Sequence, residues 1–220
     1  MSDRRTALIA GLLYLLTFAA SIPALPLLAP LTSDPAAFMA GTGSATSVLT
    51  GGLLDLINAA ACIGTALVVY PVLRRTAPVG ALGFVLSRTV EAAIIAVGVL
   101  AVAAVVTARG QLSAEVAEGL VALRNATFLM GPGLMPVANA LFFGTALLRA
   151  RLVPRVIPIL GLVGAPMLLA SGLATYFGVI SQVSVWAGVA VIPIFLWELF
   201  VGLWMTFRGF REPVTAPVLD

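Results

Sequence analysis

Residues 79–107 read VGALGFVLSRTVEAAIIAVGVLAVAAVVT, an apolar run interrupted by only two charges, Arg88 and Glu91. About 20 apolar residues suffice for a helix to cross hydrocarbon. This stretch exceeds that length and contains no proline and no turn cluster. It therefore decides the fold class: a transmembrane helix that carries ionisable groups at depth.

Five further runs of the same kind lie at about 7–29, 48–72, 119–148, 156–178 and 184–207. Hydrophobic residues make up 61% of the 220 positions and charged residues 10%, against roughly 45–50% apolar in soluble domains. The mean hydropathy is +1.13. The expected architecture is an all-α polytopic bundle of six spans in one domain, residues 1–211, followed by a disordered tail, 212–220. The first span follows arginines and ends in small residues and prolines, as a signal peptide would. Its apolar run is longer than the 7 to 15 residues of such a segment, so it reads as a retained helix.

Composition also excludes several chemistries. There is no lysine for a Schiff base and no histidine to ligate metal or haem or to act as general base. Cys62 is the only cysteine, so no internal disulfide or cysteine-rich metal site is expected, and no motif calls for a cofactor. The pI near 9.8 does not signal nucleic acid, because the arginines sit at helix ends and form no basic run. Arg4, Arg5, Arg74, Arg75, Arg149, Arg151, Arg155, Arg208 and Arg211 fall on one side of the spans, and Arg109 and Arg124 on the other. By the positive-inside rule both termini are cytoplasmic.

Four ionisable groups, Asp55, Arg88, Glu91 and Glu198, sit inside the spans. A charge at mid-bilayer costs roughly 2.5–3.5 kcal/mol even on permissive scales, so such groups face protein and mark function. Span two places Gly51, Asp55, Asn58, Cys62 and Thr65 on one helical face. Span three puts Phe84, Arg88, Glu91 and Ile95 on another. Span four aligns Asn125, Phe128, Pro132, Met135 and Asn139, and its Gly131-Pro132-Gly133 centre, followed by Pro136, predicts a helix break. Gly161, Gly164, Ser171, Gly172 and Thr175 in span five predict close helix packing. Span six carries Trp197 beside Glu198, with Trp197 too deep to be an interfacial anchor.

A rise of 1.5 Å per residue puts Arg88 roughly 13 Å from the cytoplasmic end, level with Glu198 and Asn139, and Asp55 roughly 24 Å from it. Glu91 and Asn58 fall between. Three carboxyls against one guanidinium in low dielectric call for at least one of Asp55, Glu91 and Glu198 to rest as a neutral acid. Arg88 reads as the fixed counter-charge of Glu198 or Glu91, and Asp55 as the surplus carboxyl.

The segments Ala10-Gly-Leu-Leu-Tyr14, Arg88-Thr-Val-Glu91-Ala, Phe128-Leu-Met-Gly131-Pro-Gly133, Leu152-Val-Pro-Arg155 and Trp197-Glu198 resemble, in order and spacing, the bacterial six-helix membrane proteins of domain-of-unknown-function family 4386. The resemblance spans nearly the whole chain. It implies the fold and a multi-pass location in the bacterial cytoplasmic membrane, and it brings no activity. Members of that family often carry a His-Asp pair where this chain has Arg124-Asn125.

Three functions fit these residues. The first is acid-catalysed chemistry on a lipophilic small molecule, such as terpenoid cyclisation or isomerisation. Asp55, Glu91 and Glu198 would then be the catalytic groups, and Asn58, Phe84, Arg88, Asn125, Phe128, Asn139, Phe142 and Trp197 the substrate's contacts, with aromatic faces stabilising a carbocation. The second is a proton-coupled transporter or binding protein, which six spans without an internal repeat would support most readily as a homo-oligomer. The third is a structural membrane subunit whose polar residues only hold helices together.

Overall fold

The computed structural model describes residues 2–211, so the tail expected at 212–220 lies outside the described residues. The six-span, all-α reading holds. Helices long and apolar enough to cross a membrane run over Asp3–Thr32, Ala45–Leu73, Pro78–Thr107, Ala114–Ala150, Val156–Tyr176 and Val185–Phe207. In chain order the elements are α1 (Asp3–Thr32), α2 (Pro35–Met39), α3 (Ala45–Leu73), α4 (Pro78–Thr107), α5 (Ala114–Met130), α6 (Met135–Asn139), a π-helical turn (Ala140–Gly144), α7 (Thr145–Ala150), α8 (Val156–Tyr176) and α9 (Val185–Phe207).

The punctuation follows local chemistry. The Asp34 carboxylate accepts the Ala37 N–H at 2.9 Å to start α2, with Pro35 at its first position. Ser113 and Ser184 cap α5 and α9 in the same way. Span four breaks where the sequence places the break. Pro132 has no N–H, so the Phe128 carbonyl is taken instead by Gly133 N–H at 3.0 Å. Pro136 has no N–H either, which leaves the Pro132 carbonyl without its i+4 donor. The ladder then runs through a π-helical turn, a geometry frequent at functional sites.

The chain forms two compact units. Among the described residues the first takes 2–15, Gly64–Ser87 and 136–211; the second takes Leu16–Ile63 and Arg88–Met135. Helices α1, α3 and α4 contribute residues to both.

In the first unit α8 packs along α9. Lipid tails are as apolar as leucine, so association in a bilayer rests on close packing of small residues. A methyl group at Gly161 would come within 2.5 Å of the Trp197 ring, and one at Gly164 within 2.9 Å of Pro193, which accounts for these two glycines of span five. Phe143 stacks on Phe84 at 4.3 Å between centroids and on Tyr14 at 6.1 Å, all three fully buried. Arg4 donates to the carbonyls of Met205, Thr206 and Phe207, satisfying the last turn of α9 with a cation at its negative end.

The second unit buries Leu28, Leu31, Phe38, Val48, Val102, Val105 and Val121. Arg109 closes one end of it. Its guanidinium lies 4.0 Å from the Phe38 ring and donates to the carbonyls of Phe38, Gly43 and Thr42, so the loop after α2 is held by one side chain.

Candidate functional site

Two clusters of polar side chains stand in the second unit. The first joins α3 to α4. Arg88 Nη1 donates to Glu91 Oε2 at 3.0 Å and to Cys62 Sγ at 3.4 Å, and the Cys62 thiol donates to Asn58 Oδ1 at 3.8 Å. The spacing of three between Arg88 and Glu91 puts both on one side of α4, facing the polar stripe of α3. All four residues are buried. The pair is in hydrogen-bond contact and only 3–5% exposed, so both charges are held out of water by protein groups.

The second cluster joins α3, α4 and α5. Arg124 Nη2 faces Asp55 Oδ2 at 3.7 Å, with side chains 9% and 18% exposed. The Arg124 guanidinium also lies 4.8 Å from the Phe128 ring. A charge-assisted hydrogen bond closes to about 2.7–2.9 Å, so this pair stands apart by the better part of an ångström. Beside it is a cavity of about 20 Å³ lined by Asp55, Ile95, Gly98, Arg124, Thr127, Phe128 and Pro132. Such a volume holds about one water molecule where polar partners are at hand, and here a carboxylate, a guanidinium and a hydroxyl supply them. Gly98 makes the approach of α4 to α5 possible, because a methyl group there would collide with the Thr127 hydroxyl. That hydroxyl donates to the Arg124 carbonyl at 2.7 Å. Pro132 forms part of the same wall.

Arg124 is the residue the sequence reading misplaces. It was grouped with Arg109 as a flanking arginine, yet it lies roughly 15 Å along the axis from the first residue of α5 and is 7% exposed. Ala117, Val121 and Arg124 form the buried stripe of α5, at the three-to-four spacing of a helical face. That periodicity was the available signal. With Arg124 inside, the intramembrane count becomes three carboxyls against two guanidiniums. Asp55 then has a cation of its own.

The other sequence-proposed residues lie on α4, α5, α6, the π-helical turn and α9. Asn125 is exposed, one position round the helix from Arg124. In the first unit Asn139 accepts a hydrogen bond from Ser87 Oγ at 2.7 Å, and Phe84 has one face covered by Phe143. Phe142 is 38% exposed and lies over Gly83, where a methyl group would strike its ring. Trp197 is fully buried against Gly161, and Glu198 is partly buried on α9. Among the described residues no three or more Cys, Asp or Glu side chains converge as a metal ion would require.

Residues 9–209 match the family described as Domain of unknown function (DUF4386). The chain belongs to this family. The match covers all six helices, so the two clusters lie within the DUF4386 region, and so does the broken fourth span. No curated protein and no solved structure matches the chain. This DUF4386 protein is therefore a six-span integral membrane protein whose activity must be argued from its own side chains.

Proposed function

We propose that the protein is a proton-coupled carrier of a small molecule, with Asp55 as the proton-binding group and Arg124 as its displaceable counter-charge. Both termini face the cytoplasm of a bacterial cell in this reading, following the nine arginines. The observation that carries it is the Asp55–Arg124 separation of 3.7 Å across a cavity the size of one water, beside the break in the fourth span. A pair separated by more than about 3.5 Å in a wet cavity is bridged by water more readily than it is closed, and a bridging water gives the carboxylate a route for protons. In the step itself a hydronium ion gives its proton to Asp55 Oδ2: an O–H bond forms, one breaks, and water remains. The carboxyl is then neutral and no longer attracts Arg124. Arg124 sits on the helix that ends at Met130, where the chain can bend with few ladder bonds to lose.

Acid catalysis on a lipophile would draw on the same carboxyl. A cavity of about 20 Å³ is far short of the roughly 300 Å³ at which ligand pockets begin, so it serves water and protons alone, and neither a lipophile nor the carried molecule binds in it. The Arg88–Glu91–Cys62–Asn58 cluster serves as the fixed joint between α3 and α4.

The test uses purified protein in liposomes with a trapped pH-sensitive dye. An imposed pH gradient should collapse faster than in protein-free vesicles, Asp55→Asn should return the rate to that of empty vesicles, and Asp55→Glu should keep part of it. Infrared difference spectra on acidification should show a carboxylic-acid band that Asp55→Asn lacks. Wild-type protein with neither the flux nor the band would refute the reading.

A further inference from the structure

A cavity in the first unit has a chemistry that suits a different ligand. It measures about 390 Å³ and opens along the start of α8 and the end of α9, where Val156 and Ile157 face Phe200, Leu203 and Trp204, with Arg208 at its margin. We propose that this groove is a binding site for an anionic phospholipid, with an acyl chain along the apolar floor and the phosphate held by Arg208 and Arg211.

Three features support this occupant. The volume falls within the range of about 300–1,000 Å³ of small-molecule sites. Two cations stand at its margin: Arg208 borders the groove, and the Arg211 guanidinium lies 5.3 Å from the ring of the lining residue Trp204. Among the described residues from 152 to 211 the only carboxyl is Glu198, roughly 15 Å along α9 from Arg208. The site is also held in shape at its charged end, because the Arg211 N–H donates to the Leu152 carbonyl at 2.8 Å and fixes the chain after α9 against the segment before α8.

Selection at such a site rests on the headgroup. Tails gain no hydrophobic free energy by moving from one apolar surface to another, so the groove accepts any acyl chain and the arginines discriminate among phosphates by net charge. Basic side chains at the membrane surface favour anionic lipid by about fivefold each. A zwitterionic headgroup carries its own cation and gains little.

The test is native mass spectrometry of the full chain released from nanodiscs of equal parts phosphatidylglycerol and phosphatidylcholine. Wild type should retain phosphatidylglycerol in preference by more than fivefold. Arg208→Gln should lower that preference about fivefold and Arg208→Gln with Arg211→Gln should abolish it, leaving phosphatidylcholine retention unchanged. Leu203→Trp, which fills the groove, should reduce both lipids. Raising the ionic strength should weaken the wild-type preference, a measurement that needs no variant to fold. Equal retention of the two lipids by wild type would overturn the proposal. So would a preference insensitive both to salt and to the paired substitution, or a dimer whose contact covers α8 and α9 and excludes lipid.

Discussion

Removing one partner of the Asp55–Arg124 pair should have unequal consequences depending on which partner is removed. At 3.7 Å and an effective dielectric of about 20, the pair is worth about 4 kcal/mol of Coulomb attraction. Side-chain exposures of 9% and 18% and a water-sized cavity reduce the net coupling to about 2 kcal/mol. Asp55→Asn leaves a guanidinium that cannot discharge itself, and the expected loss is about 3 kcal/mol, the low end for breaking a buried pair. Arg124→Gln leaves a carboxyl that can bind a proton and become neutral, so its expected loss is smaller, about 1–2 kcal/mol. The double variant removes both charges and should be no less stable than Asp55→Asn alone. Reversible unfolding in mixed micelles, followed by tryptophan fluorescence, gives all four free energies. Additive losses would show that the two groups do not interact. A larger loss for Arg124→Gln than for Asp55→Asn would show that Asp55 cannot take up a proton, and the proposed function would fall with it.

Gly98→Ala places a methyl group against the Thr127 hydroxyl and should cost about 1–3 kcal/mol by overpacking. It should also slow the collapse of a pH gradient in vesicles, because the displaced Thr127 closes the cavity that admits water; unchanged flux would argue that protons do not pass there. Arg109→Ala removes donors to three loop carbonyls and should speed hydrogen exchange over residues 38–44 while leaving α8 and α9 protected. Exchange rates like those of wild type would show that the loop is held by its own turns.

The spans were legible because each is a long apolar run, and a bilayer punishes any other reading of such a run. The break in span four was legible for a chemical reason: Pro132 and Pro136 have no N–H, so an unbroken ladder cannot form there. Arg88 and Glu91 could be paired from spacing alone, since residues three apart on a helix share a face. Arg124 was misread because a count of arginines by side takes no account of helical phase. Its burial becomes visible once Ala117, Val121 and Arg124 are set on one face, and then Asn125, next in sequence, turns outward. Cys62 links Arg88 to Asn58 through two hydrogen bonds; the stripe of α3 shows its face, and no rule of spacing shows which thiol bridges two helices. The apolar groove had no signature either, because Phe200, Leu203 and Trp204 read like any lipid-facing residues until α8 is laid beside them.

Why a mobile charge should sit beside a broken helix follows from the hydrogen-bond ladder. A transmembrane helix resists bending because each displaced residue strands a carbonyl in hydrocarbon, at several kcal/mol apiece. In the fourth span the regular ladder is already altered: the Pro132 carbonyl has no i+4 donor, and Gly133 reaches back five residues to the Phe128 carbonyl. Bending between Met130 and Met135 therefore forfeits few further bonds. Arg124 lies less than two turns before that hinge, and its hold on α3 through Asp55 depends on a charge that one proton cancels. The two features are complementary. The hinge without the pair would give no reason to move in response to protons, and the pair on an unbroken helix would give protonation nothing to move. Asp55, Arg124 and Pro132 all line one water-sized cavity, so under the proposed function proton binding at Asp55 and movement of the fourth span would be parts of one event.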